Sequence, residues 1–229
     1  MEHRDFSVTP SAKAPSVNAP SHEGVTQTTD LPLYWRADGP PGAPPLLLLH
    51  GGPGAHHDYL YPQLLALSDT YRVITYDQRG GGKSKTGDST PVTWQTQVGD
   101  LAQIVTEFGL TPPTIIGYSW GALLAMLYAT HCTKDGDARL APARLVLISP
   151  APITRAWRDD FEAALSARGR HAAILAMREE LAASGLRERD PAAYRQRGFE
   201  LSVAGYFANP THARALTPFR VTSRVQQSV

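Results

Sequence analysis

Cysteine is all but absent from this chain of 229 residues, in which Cys132 is the one thiol. That excludes an internal disulfide framework and fits a reducing compartment. Cys132 itself reads as a small hydrophobe in a helix. A charge excess is also missing. Twenty-two Lys and Arg against 21 Asp and Glu leave a formal charge of +1, so no global field favours a nucleic acid or an anionic membrane as partner. Residues 1–150 hold 10 basic and 13 acidic groups and residues 151–229 hold 12 and 8, an imbalance that reads as solvated helix faces. No apolar run reaches the roughly 20 residues that a bilayer span needs. The longest apolar-rich window, 114–129, contains Gly117, Ser119 and Gly121. The opening MEHRDFSVTPSAKAPSV has charges but no apolar h-region; it does not read as a secretory signal, and the cytoplasm is expected.

What is present suffices for a folded domain. With 42% hydrophobic and 19% charged residues, the chain can bury a sizeable core as one large domain, or one domain with an appendage. Residues 1–24, rich in Pro, Ser and Ala, read as a mobile arm. Residues 25–38 alternate loosely, as one or two edge strands would, and stop at the turn-forming Gly39-Pro40-Pro41-Gly42. Four short apolar runs follow, at 46–49, 71–76, 114–116 and 144–149, each expected to be a strand buried on both faces. Between them, 59–67, 94–108 and 122–128 have helical spacing, with Gly109 a natural stop for the second. Strands alternating with helices imply an α/β fold with a mostly parallel sheet and chemistry at the carboxyl ends of the strands. After Pro150 the chain becomes rich in Ala, Arg and Glu, and helices are expected at 154–169, 171–184 and 191–207.

Three glycine-bearing loops stand at strand ends. Gly117-Tyr118-Ser119-Trp120-Gly121, between a strand and a helix, has the form of a nucleophile elbow. A turn that tight leaves no room for side chains two residues either side of the serine, and it lifts the hydroxyl above the sheet at a helix N-terminus. Acyl transfer also needs two donors aimed at the oxygen that becomes negative. The backbone N–H of Trp120 can supply one. That of Gly52, in His50-Gly51-Gly52-Pro53-Gly54 after the first buried strand, can supply the other. The third loop, Gly80-Gly81-Gly82-Lys83-Ser84, invites a rival reading. Its end matches a phosphate loop, but the pattern requires glycine at position 77, and that residue is Asp77, whose carboxylate would repel phosphate. A nucleotide partner is therefore not expected.

Together, HGGPG at 50–54, His57-Asp58-Tyr59-Leu60, DQRGGGKS at 77–84 and GYSWGA at 117–122 resemble the prolyl aminopeptidases (proline iminopeptidases) of the α/β-hydrolase superfamily. The likeness covers about residues 25–150. It separates the chain from dehalogenases and epoxide hydrolases, whose nucleophile is an aspartate where Ser119 stands. The resemblance implies an α/β-hydrolase core at 25–150 and a helical cap at 151–229. It implies a serine hydrolase that releases an N-terminal residue, often proline, from short peptides or cleaves a related small amide or ester. No metal or cofactor enters that chemistry.

The same resemblance exposes a gap. A catalytic serine needs a histidine base oriented by a carboxylate, in the chain order Ser, acid, His for this fold. The histidines after Ser119 are His131, His171 and His212, all in helical or inter-helix contexts and read as solvated or capping. His56 and His57 precede the serine, and His50 reads as the anchor of its turn. Residues 219–229 read as the exit of the cap. The expected acid and base are therefore assigned to no residue, the last strands of the fold are expected to be missing, and the edge of 144–149 should be left open. The family's amine-binding acids could be sought at Glu200 or at Asp159, Asp160 and Glu162, but solvated surface roles are expected for all four. A non-catalytic α/β-hydrolase-like chain is the competing reading.

Overall fold

A computed structural model describes residues 22–87, 89–135 and 139–222, together with Val225 and Gln227. The arm expected at 1–24 lies outside these residues up to position 21. Its last three residues instead belong to a strand, because His22–Val25 (β1) pairs antiparallel with Tyr34–Asp38 (β2) in register His22 to Ala37. The remaining strands are Pro45–Leu49 (β3), Arg72–Tyr76 (β4), Thr114–Tyr118 (β5) and Arg144–Ile148 (β6). They form one sheet in the order β1-β2-β4-β3-β5-β6. β2 runs antiparallel to β4, and β4, β3, β5 and β6 are mutually parallel.

The unbroken apolar runs follow from cover on both faces. In β3, Leu47 and Leu49 join the larger core while Leu46 and Leu48 join a second one on the opposite face. Against the first face lie α2 (Trp94–Glu107) and α3 (Trp120–Asp135). Leu101 and Ile104 of α2 are completely buried, each contributing about 1.5–3 kcal/mol of transfer free energy. α2 begins where Thr93 caps it, its hydroxyl accepting from Thr96 N–H at 3.2 Å while Thr96 returns the bond, a reciprocal arrangement that satisfies two orphan donors. It stops at Gly109, whose φ is +64°.

Two sequence expectations change in detail. The helix expected at 59–67 is a composite, a 3-10 turn at Asp58–Leu60, one α-turn at Tyr61–Leu64 (α1) and a 3-10 turn at Leu65–Asp69. The strand expected at 144–149 has the open edge expected of it, but it is not buried on both faces. β6 has only β5 as a neighbour among the described residues, and Val146 and Leu147 remain 48% and 37% exposed. Its composition suits a strand covered on both faces.

Beyond β6 the chain is helical: α4 (Arg155–Arg168), α5 (Ala172–Ala183), α6 (Leu186–Arg189) and α7 (Pro191–Val203), then 3-10 turns at Ala204–Tyr206 and Pro210–Ala215. Thr154, His171 and Asp190 cap three of these helices through their side chains. The region has a small core of its own around Ile174, Met177, Ala204 and Ala213.

Candidate active site

β5 runs directly into α3, and Ser119 is the only residue between them. Its φ is +53°, a left-handed conformation that costs a non-glycine residue about 1–3 kcal/mol and persists only where its surroundings dictate it. They do so here. Ser119 N–H donates to Ile148 O at 2.9 Å, and Ser119 O accepts from the N–H groups of Ala122 and Ala151, each at 3.1 Å. A Cβ on Gly117 would come within 2.5 Å of Gly121 O, and one on Gly121 within 2.4 Å of Leu49 O. The two glycines therefore let the turn close on itself and on the end of β3. Ser119 is half-buried, at the N-terminus of a 16-residue helix, where the backbone dipole favours negative charge. Trp120 is buried, its indole N–H donating to Gln97 Oε1 at 3.1 Å.

The HGGPG turn lies against this serine, since a Cβ on Gly51 would sit 3.1 Å from Ser119 Cβ. Gly52 follows with φ +135°. His50 is the anchor the sequence suggests. Its Nδ1 donates to Gly51 O at 2.7 Å while its Nε2 accepts Gln78 N–H at 3.0 Å, and Gln78 Nε2 donates back to His50 O at 2.8 Å. Burial holds the imidazole at a pKa of about 4, so it is neutral and this tautomer is fixed. The pair ties the end of β3 to the end of β4.

Asp77 organises the neighbouring loops. Its Oδ1 accepts from both His57 N–H (2.9 Å) and His57 Nδ1 (2.7 Å), and its Oδ2 accepts from Lys83 N–H at 2.8 Å. A Cβ on Gly82 would fall 2.1 Å from Oδ2. The carboxylate thus takes the place that a phosphate would need, while Lys83 Nζ lies over the Tyr34 ring at 3.9 Å and Ser84 Oγ accepts Tyr34 N–H at 2.9 Å. The local packing uses every group that suggested a phosphate loop. On its other side, His57 Nε2 lies 2.9 Å from Asp58 Oδ1. Burial opposes charging of His57, but the two carboxylates outweigh it and raise the imidazole pKa above its ordinary value.

Among the described residues, no histidine nitrogen is hydrogen-bonded to Ser119 Oγ. His171 caps α5 by accepting Ala173 N–H at 3.2 Å, His212 faces Asn209, and His131 is exposed on α3. His56 Nε2 accepts Arg220 N–H at 3.3 Å. Asp159, Asp160 and Glu162 are exposed as expected. Glu200 is not: it is 2% exposed, accepting from Gln196 Nε2 at 3.1 Å and Arg197 at 2.5 Å. The two donors offset the cost of burying its carboxylate, which would be high for a lone one.

Sequence reading passed over the aromatic side chains near the serine. Tyr59 packs edge-on against Tyr118 and Phe219, and Phe219 stacks on Phe199 at 4.5 Å. Residues 219–222 thereby cross the site's loops, with Thr222 N–H donating to Gly54 O at 2.9 Å. The HDYL motif places Tyr59 in the right loop; the contributions from 199 and 219 arise from long-range packing that no local pattern encodes.

A mostly parallel sheet with a strained serine turn between β5 and the following helix defines a hydrolase-type scaffold, and a family model for the alpha/beta hydrolase fold matches residues 44–168. The chain belongs to the alpha/beta hydrolase family. Within that family it is similar to proline iminopeptidases. It is 42% identical over 96 residues to that of Lactobacillus helveticus (strain DPC 4571), covering 41% of this chain and 33% of the relative. It is 34% identical over 136 residues to that of Lactobacillus delbrueckii subsp. bulgaricus, covering 57% and 44%. The crystal structure of proline iminopeptidase from Mycobacterium smegmatis superposes with a TM-score of 0.55 at 27% identity, covering 78% of this chain and 59% of that one. The matched stretch thus spans less than half the length of these two curated relatives.

Proposed function

We propose that the chain is the nucleophile-bearing part of a serine hydrolase that releases an N-terminal residue, preferentially proline, from short peptides. Residues 25–150 form its core, residues 151–229 cap the strand ends, and its place is the cytoplasm. Ser119 Oγ attacks the carbonyl carbon of the first residue. The carbonyl oxygen becomes an oxyanion held by the backbone N–H groups of Gly52 and Trp120. Collapse breaks the C–N bond, the amine leaves with a proton, and water then cleaves the acyl-enzyme ester. The base and its carboxylate are assigned to none of the described residues. The observation that carries this reading is the left-handed Ser119 wedged between β5 and α3 and pressed against Gly51.

A fluorophosphonate probe tests it. Stoichiometric phosphonylation of Ser119, located by peptide mass mapping and absent in Ser119→Ala, is expected, at a rate well below that of a complete triad. The second reading, a non-catalytic α/β-hydrolase-like chain, draws on the absence of a histidine at Ser119 Oγ among the described residues. It expects no adduct, or adducts scattered over surface serines.

A further inference from the structure

Tyr59 presents a phenol at the same spot as the serine. Its oxygen accepts Gly51 N–H at 2.7 Å, while its own proton meets no acceptor among the described residues. The position of a Cβ on Gly51 would be 2.8 Å from this oxygen and 3.1 Å from Ser119 Cβ. The phenol oxygen and Ser119 Cβ therefore both border the space that a side chain on Gly51 would fill. The ring is held edge-on by His56, Tyr118 and Phe219 at centroid distances of 5.9, 6.2 and 4.9 Å, so the hydroxyl is fixed in place before any ligand arrives.

We propose that the Tyr59 hydroxyl is a side-chain donor to the substrate oxygen that becomes negative when Ser119 attacks, acting beside the two backbone donors. This deepens the reading of Ser119 as nucleophile and rests on it. Three physical features favour donation. Gly51 N–H already occupies the phenol's acceptor side and polarises the O–H bond, strengthening it as a donor. Burial raises the phenol pKa well above its ordinary value, so the proton stays in place at neutral pH. The donor is also preorganised, which is what makes such groups effective against developing charge.

The test uses the 229-residue chain carrying Ser119→Ala, so that it does not depend on whether the serine is activated. Monomethyl phenylphosphonate, a tetrahedral monoanion, is titrated calorimetrically with and without Tyr59→Phe. Binding should weaken on the order of tenfold to a hundredfold on losing the phenol, as expected for a hydrogen bond to a charged group. Because Tyr59→Phe also deprives Gly51 N–H of its acceptor, 3-fluorotyrosine is placed at position 59 and measured at pH 6. Fluorine makes the phenol a better donor and a poorer acceptor, so anion affinity should rise. A fall would assign Tyr59 to holding Gly51 alone and overturn the proposal. Equal affinity with and without the phenol, or no binding in the Ser119→Ala chain, would overturn it as well. Failure of fluorophosphonate labelling with these results intact would sink the nucleophile reading only.

Discussion

At Gly121 a single methyl group would land 2.4 Å from Leu49 O and 2.6 Å from His50 O, both backbone atoms that cannot rotate away. Gly121→Ala should therefore destabilise the chain by about 1–3 kcal/mol, as overpacking of a filled interior does, and urea unfolding with an unchanged m-value would register it. The histidines give a second expectation. His57 is raised above 6.5 in the folded state by Asp58 and Asp77 against the opposition of burial. Its stabilisation is thus complete below 6.5 and is lost as pH rises through the folded value. His50, lowered to about 4 chiefly by burial, acts in the opposite direction. The unfolded chain binds the proton first, so stability falls as pH drops from 6.5 towards 4, by about 3 kcal/mol. Unfolding free energy should therefore pass through a maximum near pH 6.5. His57→Gln should flatten the alkaline limb and leave the acid limb standing. Of these residue-scale features, the sequence displays the elbow glycines and the turn histidine directly, because a fixed local spacing encodes them. It does not display the pairing of His57 with Asp77, twenty positions apart, or the burial of Glu200, since those depend on which loops meet.

The strands and helices were legible for a similar reason. Short apolar runs mark β3, β4 and β5 to within one or two residues, and helical spacing marks α2 and α4. What composition could not disclose was how little of β6 is covered. β6 reads Arg-Leu-Val-Leu-Ile, the pattern of a strand covered on both faces, yet it lies at the edge with Val146 about half exposed. Natural edges are usually blunted by charges, proline or bulges, and residues 145–148 carry none of these. Intermolecular pairing should follow. Val146→Lys is expected to reduce light scattering and raise the monomer fraction at high concentration, with little change in Tm, because the residue gives up little burial. An equal scattering signal in this variant would show that β6 is not the adhesive edge.

For the molecule as a whole, the sheet brings the ends of β3, β4 and β5 to one side, and the HGGPG turn, the Asp77 loop and the Ser119 elbow meet there. Turnover is a different matter. Among the described residues no histidine is hydrogen-bonded to Ser119 Oγ, and a serine without a base retains only what donors and binding supply, orders of magnitude below a complete triad. The purified 229-residue chain should accordingly hydrolyse proline and alanine arylamides far more slowly than an ordinary enzyme, with Ser119→Ala removing what activity there is. Ordinary rates that vanish on mutating His171 or His212 would mean that the helical region supplies a base after all.

The central claim is that Ser119 is the chemically distinct nucleophile of this scaffold. Incubation with a fluorophosphonate followed by intact and peptide mass analysis tests it most directly, because the strained turn, the helix N-terminus and the flanking donors should act on one serine alone. The account predicts a single adduct confined to Ser119, formed slowly and lost in Ser119→Ala. No adduct at Ser119 above that on exposed serines would contradict it.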